Sequence, residues 1–170
     1  MKRIAILVEN LYEELELWYP TYRLREAGHH VTILGPKEGE IYRGKFGYPV
    51  RVDRPISKAK ASEFHAVIIP GGFAPDYLRR DPTSVPFIKS VWDNGGIIGA
   101  ICHGVWLPAS AEIVKGKRLT SFFSIKDDIV HAGGIWEDSE VVQDGNLITA
   151  RKPDDLPAFL RTILRTLENL

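Results

Sequence analysis

Short apolar runs alternate with stretches of helical periodicity along most of this chain. Residues 4–8, 31–34, 66–69 and 97–101 are almost uninterrupted apolar segments of four or five residues. Such runs suit strands buried on both faces of a parallel sheet. Between the first two, Leu15, Leu17, Trp18, Tyr22 and Leu24 recur at helical spacing, which predicts a helix over residues 13–27 that stops at Gly28. Pro20 lies inside it and predicts a kink or an interruption. A second helix is expected over residues 82–94, opened by Pro82 and closed by Gly95-Gly96. Shorter helices are expected over 105–111 and 125–131, and an amphipathic closing helix over 156–167. The alternation around residues 48–52 predicts a small antiparallel excursion. Residues 140–142 and 147–150 read as a hairpin about Asp144-Gly145.

Strands that alternate with helices require right-handed crossovers, so the sheet is mostly parallel with helices on both faces. The fold class expected is α/β, a flavodoxin-like three-layer αβα sandwich, and 170 residues suit one domain spanning 1–170. Ligands in such sheets bind beyond the carboxyl ends of the strands. Two strand ends stand out, Pro70-Gly71-Gly72 and Cys102-His103-Gly104, and the topology brings them to one pocket.

Charge narrows the partners. The 22 basic residues balance the 22 acidic ones, with no block of either sign, so the field that gathers nucleic acid or an anionic membrane is missing. Five scattered histidines and one cysteine offer no metal-ligand spacing, and neither a GxGxxG nor a P-loop is present, so no metal and no cofactor is expected. No apolar stretch is long enough to cross a bilayer. A lone cysteine and a start without a signal-peptide core predict a cytoplasmic protein.

Cys102 is that lone cysteine, and it directly follows an apolar strand. A nucleophile elbow needs small residues two positions to either side of the nucleophile, where Ala100 and Gly104 stand. The free N–H groups of a following helix are expected to favour the thiolate. The backbone N–H of His103 is a candidate oxyanion donor, and Gly71-Gly72 a candidate for the second. By sequence spacing alone the His103 ring has no assured route to the sulfur.

These residues resemble the PfpI family of intracellular cysteine peptidases and deglycases, relatives of the Parkinsonism-associated deglycase in the glutamine-amidotransferase-like superfamily. The resemblance rests on YEELELWYP, VIIPGGFAPDYLR, GAICHG, SIKDDIVHAG and TARKPDDLPAF, and so spans nearly the whole chain. It implies a nucleophile at Cys102 and a helix carboxylate at Glu16 that leans over the sulfur. Two anions cannot comfortably ionise side by side, so a protonated Glu16 would hydrogen-bond the thiolate. It further implies that His103 pairs with an acid from a neighbouring subunit, matched here by Asp76. That pairing requires at least a homodimer, and family members also build hexamers. The activity implied is hydrolysis through a cysteine, on small carbonyl compounds or glycated proteins derived from methylglyoxal or glyoxal, or on peptides. The alternative is an oxidative-stress sensor or chaperone-like protein in which Cys102 is oxidised without turnover.

Overall fold

An apolar run with no polar side chain to spare must be covered twice, and the computed structural model, which describes residues 1–170, shows both covers. In chain order the elements are β1 (Arg3–Leu7), α1 (Glu14–Glu26), β2 (His30–Gly35), β3 (Ile41–Arg43), β4 (Pro49–Arg51), β5 (Arg54–Pro55), β6 (Ala66–Ile69), α2 (Ala74–Arg80), α3 (Ser84–Asp93), β7 (Ile97–Ile101), α4 (Trp106–Ser110), β8 (Arg118–Leu119), α5 (Lys126–His131), β9 (Ile135–Trp136), β10 (Val141–Asp144), β11 (Leu147–Ala150) and α6 (Leu156–Glu168). Seven strands form the central sheet in the order β10-β11-β7-β6-β1-β2-β5. All its pairings are parallel except that of β10 with β11. The fold is the flavodoxin-like three-layer sandwich.

Successive side chains of a strand point to opposite faces, and β1 divides accordingly. Ile4 and Ile6 pack with Leu17 and Leu24 of α1 and Phe159 and Ile163 of α6. Ala5 and Leu7 pack with Leu78 of α2, Ile88 and Val91 of α3 and Leu107 of α4. Each fully buried leucine or isoleucine contributes about 2 kcal/mol of transfer free energy, so the two apolar layers clamp the sheet from both sides.

Four departures from the expected elements have local causes. Helix α1 runs unbroken through Pro20, which is itself buried. Proline lacks the N–H that would bond the Glu16 carbonyl four residues back, yet Leu17 and Leu24, on either side of it in the chain, are fully buried. Helix α3 begins at Ser84 rather than at Pro82, because the Asp81 carboxylate collects the Thr83 N–H, the Thr83 hydroxyl and the Ser84 hydroxyl at 3.2, 2.6 and 2.7 Å. Helix α2, with Pro75 in its first turn, is too short to show a period and was not expected. The two-residue strands β8 and β9 pair with each other outside the main sheet, and two residues carry no alternation to read.

Candidate functional site

The chain leaves β1 toward α1 and β2, whereas it leaves the adjacent β6 toward α2 and β7, so the loops after these central strands diverge. In open α/β sheets, ligands bind where such loops part. Tyr12 and Gly72 form an isolated antiparallel bridge across the two loops, the Glu13 N–H donates to the Gly71 carbonyl at 3.2 Å, and the Phe73 N–H donates to the Leu11 carbonyl at 2.8 Å. Gly72 holds φ 79°, and a Cβ there would fall 2.4 Å from the Leu11 carbonyl oxygen. Only glycine fits both the backbone and the space.

Cys102 follows β7 with φ 61°, a left-handed conformation that costs a non-glycine residue about 1–3 kcal/mol. The chain then turns through a 3-10 segment, Cys102–Val105, into α4. The turn is tight because a Cβ on Gly104 would lie 2.3 Å from the Ile69 carbonyl oxygen. Gly104→Ala is therefore expected to lower stability by about 3 kcal/mol and to displace the elbow, read as a lower denaturant midpoint together with changed Cys102 alkylation.

Glu16, on the first turn of α1, reaches the same pocket. It is fully buried, and its Oε2 accepts the Gly71 N–H at 2.6 Å, while Oε1 has no hydrogen-bond partner. A Cβ on Gly71 would stand 2.5 Å from Glu16 Oε2 and 3.1 Å from Cys102 Sγ, so carboxyl and sulfur share the space that glycine leaves open. Burial lifts the Glu16 carboxyl to about 8, against the pull of the Gly71 N–H. The carboxyl is therefore protonated at neutral pH.

Cys102 is 8 % exposed. Burial pushes its thiol up, and the Glu16 charge adds to this, while the His103 and Gly72 N–H groups aimed at the sulfur pull the other way. The expectation of a thiol lowered by the helix behind it is thus corrected: a short 3-10 turn stands where a long helix would have to begin, and desolvation outweighs it. With Glu16 protonated its repulsion of the thiolate disappears, and the two groups titrate as a pair.

His103 does face the sulfur. Its Nδ1 lies 3.3 Å from Cys102 Sγ, and the ring stacks on Phe122 at 5.2 Å and meets the edge of Trp106 at 5.2 Å. Burial holds the imidazole below its ordinary range, and the charge of Lys45 acts in the same direction. Asp76 is not brought to the site within one chain. It lies in the first turn of α2, half-exposed and paired with Arg80 one turn on.

Several neighbours were not visible in the sequence reading. Lys45, at the tip of the β3–β4 hairpin, pairs with nearly buried Glu13 at 2.7 Å, and the charge of Lys45 bears on Glu16, Cys102 and His103 alike. Glu13 lies three residues before Glu16, hence on the same helical face, which was the one available signal. Ser124 and Phe122 come from a loop without periodicity.

A cysteine at a tight strand-to-helix turn on a flavodoxin-like sheet, with a buried glutamate beside it, defines the class of α/β proteins to which the chain conforms. The sequence profile of the DJ-1/PfpI family matches residues 2–166, and the chain belongs to that family. A protein of Pyrococcus abyssi named a deglycase is 40% identical over 98% of this chain and 99% of its own. General stress protein 18 of Bacillus subtilis is 40% identical, with 98% of each chain covered. The crystal structure of a two-domain protein of Anabaena variabilis, with DJ-1/ThiJ/PfpI-like and ferritin-like domains, is similar at TM-score 0.97 and 40% identity over 99% of this chain. This chain spans 48% of that one. No helix is long and apolar enough to cross a membrane.

Proposed function

We propose that this chain is a cysteine-dependent hydrolase acting on methylglyoxal- or glyoxal-derived adducts in the cytoplasm, where a lone thiol stays reduced. The observation that carries the reading is a cysteine at φ 61° with an imidazole nitrogen 3.3 Å from its sulfur and a buried carboxyl in the same pocket. Relatives named deglycases support the substrate class. So does the burial of the sulfur, since a snug pocket admits a small carbonyl compound more readily than an extended peptide.

In this reading the sulfur adds to the activated carbonyl carbon. A C–S bond forms, the C=O π pair moves to oxygen, and the thiol proton passes to His103 Nδ1. The Gly72 and His103 N–H groups hold the oxyanion, and Glu16 gives and recovers a proton. For methylglyoxal the hydrogen on the aldehyde carbon then passes as a proton to the neighbouring carbon, which turns the hemithioacetal into a thioester; water breaks the C–S bond and returns the thiol, and the sum is one water consumed and one 2-hydroxy acid, lactate, released. An oxidation sensor is the weaker reading, because oxidation favours an exposed thiolate and this sulfur is neither exposed nor lowered.

The functional unit is at least a homodimer. Leu15, Trp18, Tyr22, Phe46 and Tyr48 line an open groove of about 670 Å³ between α1 and the β3–β4 hairpin, and Phe46 is 83% exposed. A second copy would cover this apolar surface. The family resemblance pairs His103 with an acid of a neighbouring copy, matched here by Asp76. Mixing Cys102→Ser with Asp76→Asn tests this: random pairing of two inactive variants is expected to restore about a quarter of the wild-type turnover. No recovery would remove Asp76 from the site.

The function itself is tested by methylglyoxal consumption and fluorogenic-peptide release, each measured with wild type and Cys102→Ser. The reading expects methylglyoxal turnover that the variant loses. Peptide release alone would shift it to a peptidase, and neither activity would sink it.

A further inference from the structure

The His103 ring must present one particular nitrogen to the sulfur, and its aromatic neighbours cannot choose which. Phe122 lies against its face at an interplanar angle of 29° and Trp106 meets it at 74°, contacts that fix the plane of the ring. A half-turn of the ring about its Cβ–Cγ bond keeps that plane and exchanges Nδ1 with a carbon. The stacking is nearly indifferent to the exchange, but the chemistry is not, because a carbon facing Sγ neither takes nor gives a proton.

Two polar contacts break the tie, and only one of them lies outside the reacting pair. Ser124 Oγ, in the turn between β8 and α5, lies 3.2 Å from His103 Nε2, while Nδ1 lies 3.3 Å from Sγ. A half-turn would lose both contacts at once, setting Cε1–H against the hydroxyl and Cδ2–H against the sulfur. We propose that Ser124 is the positioning residue of His103, its hydroxyl selecting the ring orientation that turns Nδ1 toward Cys102. The inference rests on the cysteine chemistry proposed above only for its effect on rate; the orientation itself is a property of the resting protein.

A hydroxyl suits this place for a reason a carboxylate would not share. Ser124 Oγ accepts from Nε2–H when Nδ1 carries a lone pair toward the thiol. It donates to Nε2 when the imidazole proton sits on Nδ1 and faces a thiolate. When the proton passes from Sγ to Nδ1 and both nitrogens carry hydrogen, the hydroxyl accepts again. The ring thus keeps its place through every protonation state, and no further charge is set beside the sulfur. A carboxylate arriving from a second copy would find the hydroxyl hydrogen free to meet it while the serine lone pair stays on Nε2–H.

Two measurements on the full-length protein test the assignment. The first is kcat and KM for methylglyoxal with wild type, Ser124→Ala and Ser124→Thr. The second is the pair of imidazole nitrogen shifts of His103 by NMR in the same proteins without substrate. One hydrogen bond to a neutral group changes the ratio of the two orientations by roughly 3- to 10-fold, and an even mixture is the limit once the hydroxyl is gone, so Ser124→Ala is expected to lower kcat by up to about 2-fold with KM little changed. Its His103 nitrogens are expected to show a second ring orientation, and Ser124→Thr, which keeps the hydroxyl, to restore both readouts. Unchanged nitrogen shifts in Ser124→Ala would overturn the proposal, and so would a loss shared equally by the alanine and threonine variants. If wild type shows no turnover at all, the cysteine reading falls, and the shifts still decide the role of Ser124.

Discussion

Cys102→Ser is expected to reduce methylglyoxal turnover by about 10,000-fold or more. The size follows from the balance of the site. A serine hydroxyl in the same place would sit within reach of the same imidazole, and oxygen is the smaller atom, so the fold has no reason to fail. What is lost is the polarisable sulfur, which attacks through an anion far more accessible than an alkoxide. Folding must be checked beside the rate, and the unfolding free energy is expected to stay within about 1 kcal/mol of wild type. Retained turnover would mean that the chemistry lies elsewhere.

The second large effect is at Glu16. Glu16→Gln keeps an oxygen for the Gly71 N–H and an N–H for the sulfur, but it neither gives nor recovers a proton. Its kcat is expected to fall by about 100-fold, the lower range for loss of a general acid. The pH profile separates this from simple disturbance. In wild type the carboxyl is protonated below about 8, and above that value its charge opposes the thiolate. Activity should fall as pH rises through about 8, although a free thiol becomes more reactive over the same range; Glu16→Gln should lose this alkaline fall. Stability follows the same group. Its pKa in the folded chain lies above the ordinary 4.5, so the folded state holds a proton that the unfolded chain releases. Stability from this source is complete below about 4.5 and is lost as pH rises to about 8. Denaturant midpoints taken between those values should decline in wild type and stay flatter in Glu16→Gln.

The sheet was legible in the sequence because β1, β6 and β7 are apolar on both faces, and a two-sided run has few other homes. The elbow was legible because Ala100 and Gly104 are required by one kind of turn. Helix α2 was not, since seven residues opening on a proline give no period. Position of the thiol and its pKa separated at this point: sequence placed Cys102 correctly at the strand end, but the direction of its shift depends on how completely Glu16, Gly71 and the neighbouring loops exclude water. That is a sum over packing from four segments, and no spacing encodes it. Glu16 itself was singled out by resemblance rather than by spacing, because Glu13, Glu14 and Glu16 look alike as an acidic first turn. The structure distinguishes them by what each meets: Glu13 takes Lys45, Glu14 takes the Phe46 N–H, and Glu16 takes the Gly71 N–H beside the sulfur. Ser124 had no signal at all, as a serine in a loop is ordinary until a ring nitrogen is found next to it.

The proposed function turns on a covalent bond between the buried Cys102 sulfur and its substrate. Rapid-quench mass spectrometry of the wild-type protein during methylglyoxal turnover, with peptide mapping, tests it most directly. A transient substrate-derived mass is expected on the peptide containing Cys102, appearing within the first turnover and decaying as the carbonyl compound is consumed. Full turnover with that peptide unmodified at every quench time would contradict it.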